Sequence, residues 1–360
     1  MSRVWDIPVT DSTRVRDVRV AVQEACAQAR LDPRRTDVAA LVGTELATNL
    51  VKHADGGRIV IELVESPTLA AEPRRSSVQV LSLDHGPGIA DVAAALSDGY
   101  STVGASLGAG LGTCRRISND FDLHSVRGRG TVAVARIDHE PAPRSSVRRQ
   151  PPEGPRAGGV NLPLARDEYS GDAWGWVRAD SLVTLMLADG LGHGAKAALA
   201  SDTAVEELRR AAHLPPTDIL RRLHTALRPT RGAAVAVAQL DVPAQQLRFA
   251  GVGNIGARLH TAGGWRSLLS RPGIVGAHFP ATVHVTQLPW PTDALLVLHS
   301  DGLPSRWTPP HEPDLLTHTP AVVAAAVLRD ASSAARPLRD DTSVAVLAPD
   351  RRIRAHDRRP

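Results

Sequence analysis

The stretch Ala188-Asp189-Gly190-Leu191-Gly192-His193-Gly194 sets a carboxylate and a run of glycines between an apolar segment at 182–187 and helix formers at 195–200. The apolar segment reads as a buried strand and the alanine-rich one as a helix start. A carboxylate leaving the end of a buried strand, with glycines that let backbone come close, is one way to hold a hard cation. The same residues also describe an ordinary Asp-Gly turn, and only their surroundings separate the two.

Working outward, Tyr169-Ser170-Gly171-Asp172 opens a strand that runs to Val177. Leu295-Leu296-Val297-Leu298-His299-Ser300 ends in Asp301-Gly302, and Arg339-Asp340-Asp341-Thr342 introduces a strand at 343–347. Between them the pattern predicts helices at 195–210 and 217–227 and strands at 233–240, 247–251 and 255–260. Asp172, Asp189, Asp301 and the pair Asp340/Asp341 therefore each sit at the edge of an apolar strand. Two carboxylates at about 4 Å repel by roughly 4 kcal/mol at an effective dielectric near 20. Their convergence calls for divalent cations, and an oxygen-only donor set favours Mg²⁺ or Mn²⁺ over Zn²⁺.

The first third of the chain carries a different pattern. A helix is predicted at 11–30 with Val15, Val18, Val22 and Ala25 on one face, ended by Pro33, and a second from Thr36 or Asp37 to about His53. Along the second helix Glu45, Asn49 and His53 follow at i, i+4 and i+8, a polar line on a largely apolar element. Strands at 58–64 and 78–83 lead to Asp84-His85-Gly86-Pro87-Gly88, again a carboxylate and glycines after a strand. Gly108, Gly110 and Gly112 precede a helix at 113–119, an arrangement whose free N–H groups suit phosphate oxygens. Short strands at 122–125 and 131–137 close the segment. From 139 to 157 proline, serine and arginine replace any apolar period, which marks a linker. Residues 350–360 read as a basic, solvated tail.

Composition bounds the function. At 360 residues two domains are expected, and 42% hydrophobic content suffices for two cores. The net charge of +4 comes from arginine scattered among 38 acids, with only Lys52 and Lys196 as lysines, and forms no basic stripe with aromatics; nucleic-acid binding is not expected. No apolar run approaches the roughly 18 residues of a membrane span, and two cysteines make no disulfide framework. A cytoplasmic protein is the expectation.

In their order, Glu45 with Asn49, Asp84-x-Gly86-x-Gly88, the Gly108/Gly110/Gly112 loop and Gly130-Thr131 match the N, G1 and G2 boxes. Residues 8–138 thus resemble a GHKL-type ATPase domain of the small serine kinases and anti-sigma regulators of bacterial partner switching, RsbT and RsbW in kind. The resemblance implies an α/β sandwich with helices on one face of a mixed sheet. It implies ATP with Mg²⁺ held through Asn49, and Glu45 as general base toward a protein serine. Asp84 would accept the adenine amino group, Gly86 and Gly88 would admit the base, the three loop glycines would enclose phosphates, and Thr131 would lie near adenine.

Residues 158–349 resemble the SpoIIE branch of PPM-type serine/threonine protein phosphatases, with Gly251-Val252-Gly253-Asn254-Ile255 most like RsbX. An α-β-β-α sandwich and two Mn²⁺ or Mg²⁺ ions follow from that resemblance, so the whole chain is expected to be α+β. Asp189 would bridge the ions, Asp301 and Asp340 would complete one site, and Asp172 with the Gly190 carbonyl would serve the other. Asp341 in place of Asp340, and a loop or catalytic role for His193, stay open. The two resemblances together imply a kinase and phosphatase acting on a STAS-domain anti-sigma antagonist or stressosome protein, with a sigma factor or a downstream phosphatase as further partners. In the alternative, the first domain only captures such a protein and regulates the attached phosphatase.

Overall fold

The computed structural model describes residues 3–72, 75–97, 110–140, 154–164, 168–304, 306–310, 312, 314–332 and 338–349. Gly108, most of the expected linker and the 350–360 tail lie outside them. The chain divides into two compact units, Val4–Glu65 with Arg75–Gln150, and Met1–Arg3 with Ser66–Arg74 and Pro151–Pro360.

The first unit runs β1 (Val4–Val9), α1 (Arg14–Ala29), α2 (Pro33–His53), β2 (Gly57–Glu65), β3 (Ser76–Leu83), α3 (Val92–Ala95), α4 (Leu111–Ile117), β4 (Asp120–Val126) and β5 (Gly130–Ile137). Pro33 does not close α1. It occupies the first turn of α2, where a missing N–H costs nothing, and Asp32 caps the helix by accepting from the Arg35 amide at 2.9 Å. α1 ends instead at Arg30, which takes the left-handed conformation.

The five strands are ordered β1-β2-β3-β5-β4. The expected mixed sheet is antiparallel at every pairing. β5 inserts between β3 and β4, so these two strands, which run the same way, never become neighbours. Alternate residues Ile59, Ile61, Val78, Val80, Ala133 and Ala135 pack with Val18, Val22, Val42, Leu46 and Leu50 of the two long helices in one core.

The second unit runs β6 (Arg156–Leu162), β7 (Asp172–Ala179), β8 (Leu182–Gly190), α5 (Ala195–Ala211), α6 (Pro216–Leu227), β9 (Ala233–Asp241), β10 (Gln246–Val252), β11 (Gly256–Thr261), β12 (Gly264–Leu268), β13 (Thr286–Pro289), β14 (Leu295–His299), α7 (Pro320–Ala331) and β15 (Thr342–Ala348). Two antiparallel sheets form, β13-β10-β9-β8-β7 and β12-β11-β14-β15-β6. Leu185, Leu187, Ala236 and Phe249 of one meet Leu259, Leu296, Leu298 and Leu347 of the other. On the outer face of the first sheet Met186, Val235 and Val237 pack against Leu208 of α5 and Leu220 and Leu223 of α6. α7 lies on β6 and β15, which completes the expected α-β-β-α layering.

β6 begins at Arg156, inside the stretch that reads as linker. Its Ala157-Gly158-Gly159 carries no strand formers, but the glycines have a packing use. A Cβ on Gly158 would meet the Ala321 amide at 2.9 Å, and one on Gly159 the Trp174 ring at 2.8 Å.

Candidate active sites

In the first unit α2 presents Glu45 and Asn49 one turn apart. Glu45 is half-buried, and burial lifts its carboxyl above the usual range, opposed by the charge of Lys52. The buried Cys114 thiol of α4 is pushed up to about 12, by burial first and then by Glu45, which places the α4 N-terminal half beside that carboxylate. Asn49 Nδ2 is buried with no hydrogen-bond partner. An amide in that position can donate to a phosphate oxygen or turn its carbonyl to a hard cation. Gly110 caps α4 and Gly112 is buried within it.

At the end of β3 the Asp84 carboxylate is buried, and its Oδ1 accepts from the amides of Gly86 at 2.9 Å and Thr131 at 3.1 Å. The Thr131 hydroxyl pairs with Ser125 at 2.8 Å. Gly86 and Gly88 serve packing: a Cβ would lie 2.7 Å from Ala54 Cα at the first and 2.4 Å from Val126 O at the second, where φ is +73°. Gly130 is the stricter case, since φ is +100° and a Cβ would stand 2.0 Å from Asp84 O. It locks the start of β5 onto the carboxylate-bearing turn.

In the second unit the acids gather at strand ends. A two-residue turn, Asp180-Ser181, with Asp180 at φ 51°, joins β7 to β8 and sets a register in which Asp172 faces Asp189. Like charges directly opposed are unfavourable. Asp172 is raised well above the carboxylate range by burial and then by Asp189, with the Ser300 and Ser343 hydroxyls opposing. Its Oδ2 is buried without a hydrogen-bond partner. Asp189 is pushed up to about 7 by burial, then by Asp301, Asp340 and Asp341. Asp301 is raised by burial and Asp340, while its Oδ2 accepts from Asn254 Nδ2 at 2.7 Å. Among the described residues no group of three or more His, Cys, Asp or Glu side chains is placed to hold a metal ion. Mutual charge is what marks these as one cluster.

The neighbours Asp340 and Asp341 differ. Asp341 is buried, and both its oxygens accept backbone N–H bonds at 2.6 Å, Oδ1 from Leu164 and Oδ2 from Gly171. Asp340 is exposed and uses Oδ1 to accept from the Asp341 amide at 2.9 Å. Gly190 packs where a Cβ would meet Ala197 O at 2.2 Å, and His193 is exposed. Sequence reasoning missed the bracing role of Asp341. It also missed that His299 accepts from Trp307 Nε1 at 3.0 Å; no spacing in the sequence links those two.

Fold and acidic cluster define a two-domain protein, a nucleotide-type α/β sandwich followed by a PPM-like β-sandwich. The comparisons make this specific. Residues 9–137 match the histidine kinase-like ATPase domain and residues 179–350 match stage II sporulation protein E (SpoIIE). The chain joins these two domains, which imply ATP and a divalent metal as ligand classes. Over 92 residues it is 40% identical to the serine/threonine-protein kinase RsbT of Bacillus subtilis, an alignment that spans 26% of this chain and 64% of that kinase. Among solved structures, RsbX in complex with magnesium is 20% identical with a TM-score of 0.46, covering 55% of this chain and 96% of its own. The PP2C phosphatase domain of SpoIIE from Bacillus subtilis, with a regulatory fragment, is 14% identical with a TM-score of 0.46, covering 94% and 97%. Among the described residues no helix is long and apolar enough to cross a membrane.

Proposed function

We propose that the chain is a signalling switch in which an ATP-dependent protein-serine kinase is joined to a metal-dependent phosphoserine/phosphothreonine phosphatase. The observation that carries the phosphatase reading is the set of mutually raised carboxyls, Asp172, Asp189 and Asp301, together with Asp340. A buried, unpartnered Asp172 Oδ2 fits a cation, as does the all-oxygen donor set. Asp172, Asp189, Asp301, Asp340 and the Gly190 carbonyl would hold two Mn²⁺ or Mg²⁺ ions. Asp340 is the ligand and Asp341 the brace, because Asp341 spends both oxygens on backbone amides. When bound, such ions would offset the repulsion and supply the Lewis acidity that makes a water nucleophilic near neutral pH. Water oxygen adds to phosphorus, the P–O bond to serine breaks, and inorganic phosphate and the serine hydroxyl leave. Asn254 orients Asp301 through the step.

In the first domain Asp84 would meet the adenine end, and Asn49 with Gly108, Gly110 and Gly112 would hold Mg²⁺ and phosphates. Glu45 takes the proton from the substrate serine as its oxygen bonds the γ-phosphorus and ADP leaves. Its raised carboxyl makes it a stronger base than a solvated glutamate. The substrate class that the kinship with RsbT supports is a STAS-domain anti-sigma antagonist or stressosome protein.

The test follows phosphate on a candidate STAS protein incubated with full-length chain, ATP and Mg²⁺ or Mn²⁺. Label accumulates in Asp189→Asn and disappears when Glu45→Ala is added. Nucleotide binding with no label in Asp189→Asn leaves the first domain as a capture module. A folded wild type that releases no phosphate from a phosphorylated STAS protein or a generic phosphoester under Mn²⁺ rejects the phosphatase.

A further inference from the structure

Arg231 lies in the short link between α6 and β9, a segment held firmly by its own bonds. The Thr230 hydroxyl donates to Leu227 O at 2.7 Å and accepts from the Gly232 amide at 3.0 Å. Gly232 O in turn accepts from the Leu191 amide at 3.0 Å, which ties the link directly to the Asp189-Gly190 loop. The guanidinium then rests on the face of Gly192, where a Cβ would stand 2.9 Å from Nη1. The absent side chain at Gly192, whose φ is +85°, is what lets the arginine lie there.

Arg231 is exposed. No ion pair to Arg231 forms among the described residues. A guanidinium lying against the glycine loop that follows Asp189 is suited to a dianion, since its fork donates two parallel bonds to a phosphate. Cations held by the acids engage one side of such a group and leave its other oxygens to a donor outside the cluster.

We propose that Arg231 binds the phosphoryl group of the phosphoprotein substrate, and the phosphate product, at the rim of the acidic cluster. The proposal rests on the phosphatase reading. It assigns the residue that selects a phosphomonoester dianion.

The experiment uses the full chain loaded with Mn²⁺, with an aryl phosphate as substrate. Orthophosphate is both competitive inhibitor and calorimetric ligand. Loss of a charge-assisted bond pair corresponds to about 10–100-fold in affinity. Arg231→Ala raises KM and the phosphate inhibition constant by that factor, Arg231→Lys recovers part of it, and Mn²⁺ affinity and melting temperature stay at the wild-type values. Arg221→Ala, which removes an exposed α6 arginine paired with Asp218, changes none of these. Unchanged phosphate affinity in Arg231→Ala overturns the proposal, as does a loss that follows weakened Mn²⁺ binding. A wild type that binds orthophosphate through Arg231 yet hydrolyses nothing retires the phosphatase reading and keeps the anion site. A wild type that binds no orthophosphate overturns the proposal as well.

Discussion

A carboxyl held up to about 7, such as that of Asp189, binds its proton more tightly in the folded chain than in the unfolded one, where the value is near 3.8. The stability it contributes is therefore full below the unfolded value and is lost as pH rises through about 7. Asp172 and Asp301 are shifted the same way. In chelator, the unfolding free energy of the second domain should fall between pH 4 and pH 7, by on the order of 4 kcal/mol for a shift of this size, and the denaturant midpoint with it. Saturating Mn²⁺ should flatten or reverse the trend, and a midpoint that rises across that window in chelator contradicts it. Asp341 makes a separate prediction. Asn in its place turns an NH₂ group toward one of the two backbone amides it now accepts from. Asp341→Asn should cost about 1–3 kcal/mol and weaken Mn²⁺ binding, read by thermal melting and calorimetry.

At the scale of elements, α2 depends on its cap and β5 on one glycine. Asp32→Ala removes the bond to the Arg35 amide and should cost about 1 kcal/mol in the first domain. Gly130→Ala forces a Cβ into Asp84 O and should cost more than that, with ATP affinity falling alongside because the Asp84 turn moves. Elements with a period were legible. The stripe Val18, Val22 and Ala25 gave α1, and runs of apolar residues ending in Asp gave β8 and β14. Others were not. α7 is apolar on every side, from Val322 to Leu328, so no 3.6 pattern separates it from a buried strand. β12 and β13 are short and largely polar, and β1 pairs only at the sheet edge. The residues proposed for the first site were readable as a motif because they fall in sequence clusters. The brace Asp341 to Leu164 was not, because the two lie 177 positions apart.

For the whole molecule, the two matched domains imply two different ligand classes. A ligand at about 100 times its dissociation constant stabilises its domain by roughly 2.7 kcal/mol. Calorimetry should show ATP·Mg²⁺ raising the transition of the ATPase domain in Asn49 wild type but not in Asn49→Ala. Mn²⁺ should raise that of the phosphatase domain, and lose the effect in Asp172→Asn. A single transition that responds to both ligands in both variants would argue against separate sites.

The hairpin that sets Asp172 opposite Asp189 would also give a bound ion a task during folding. Side chains alternate between faces along a strand, so a slip of one residue at the Asp180-Ser181 turn carries one of the two carboxylates to the other side of the sheet. Only the correct register leaves both acids able to share a cation. A divalent metal held between them would thus favour correct strand alignment, withdrawing properly paired chains from misregistered ones; a refolding yield that is the same with and without Mn²⁺ argues against it.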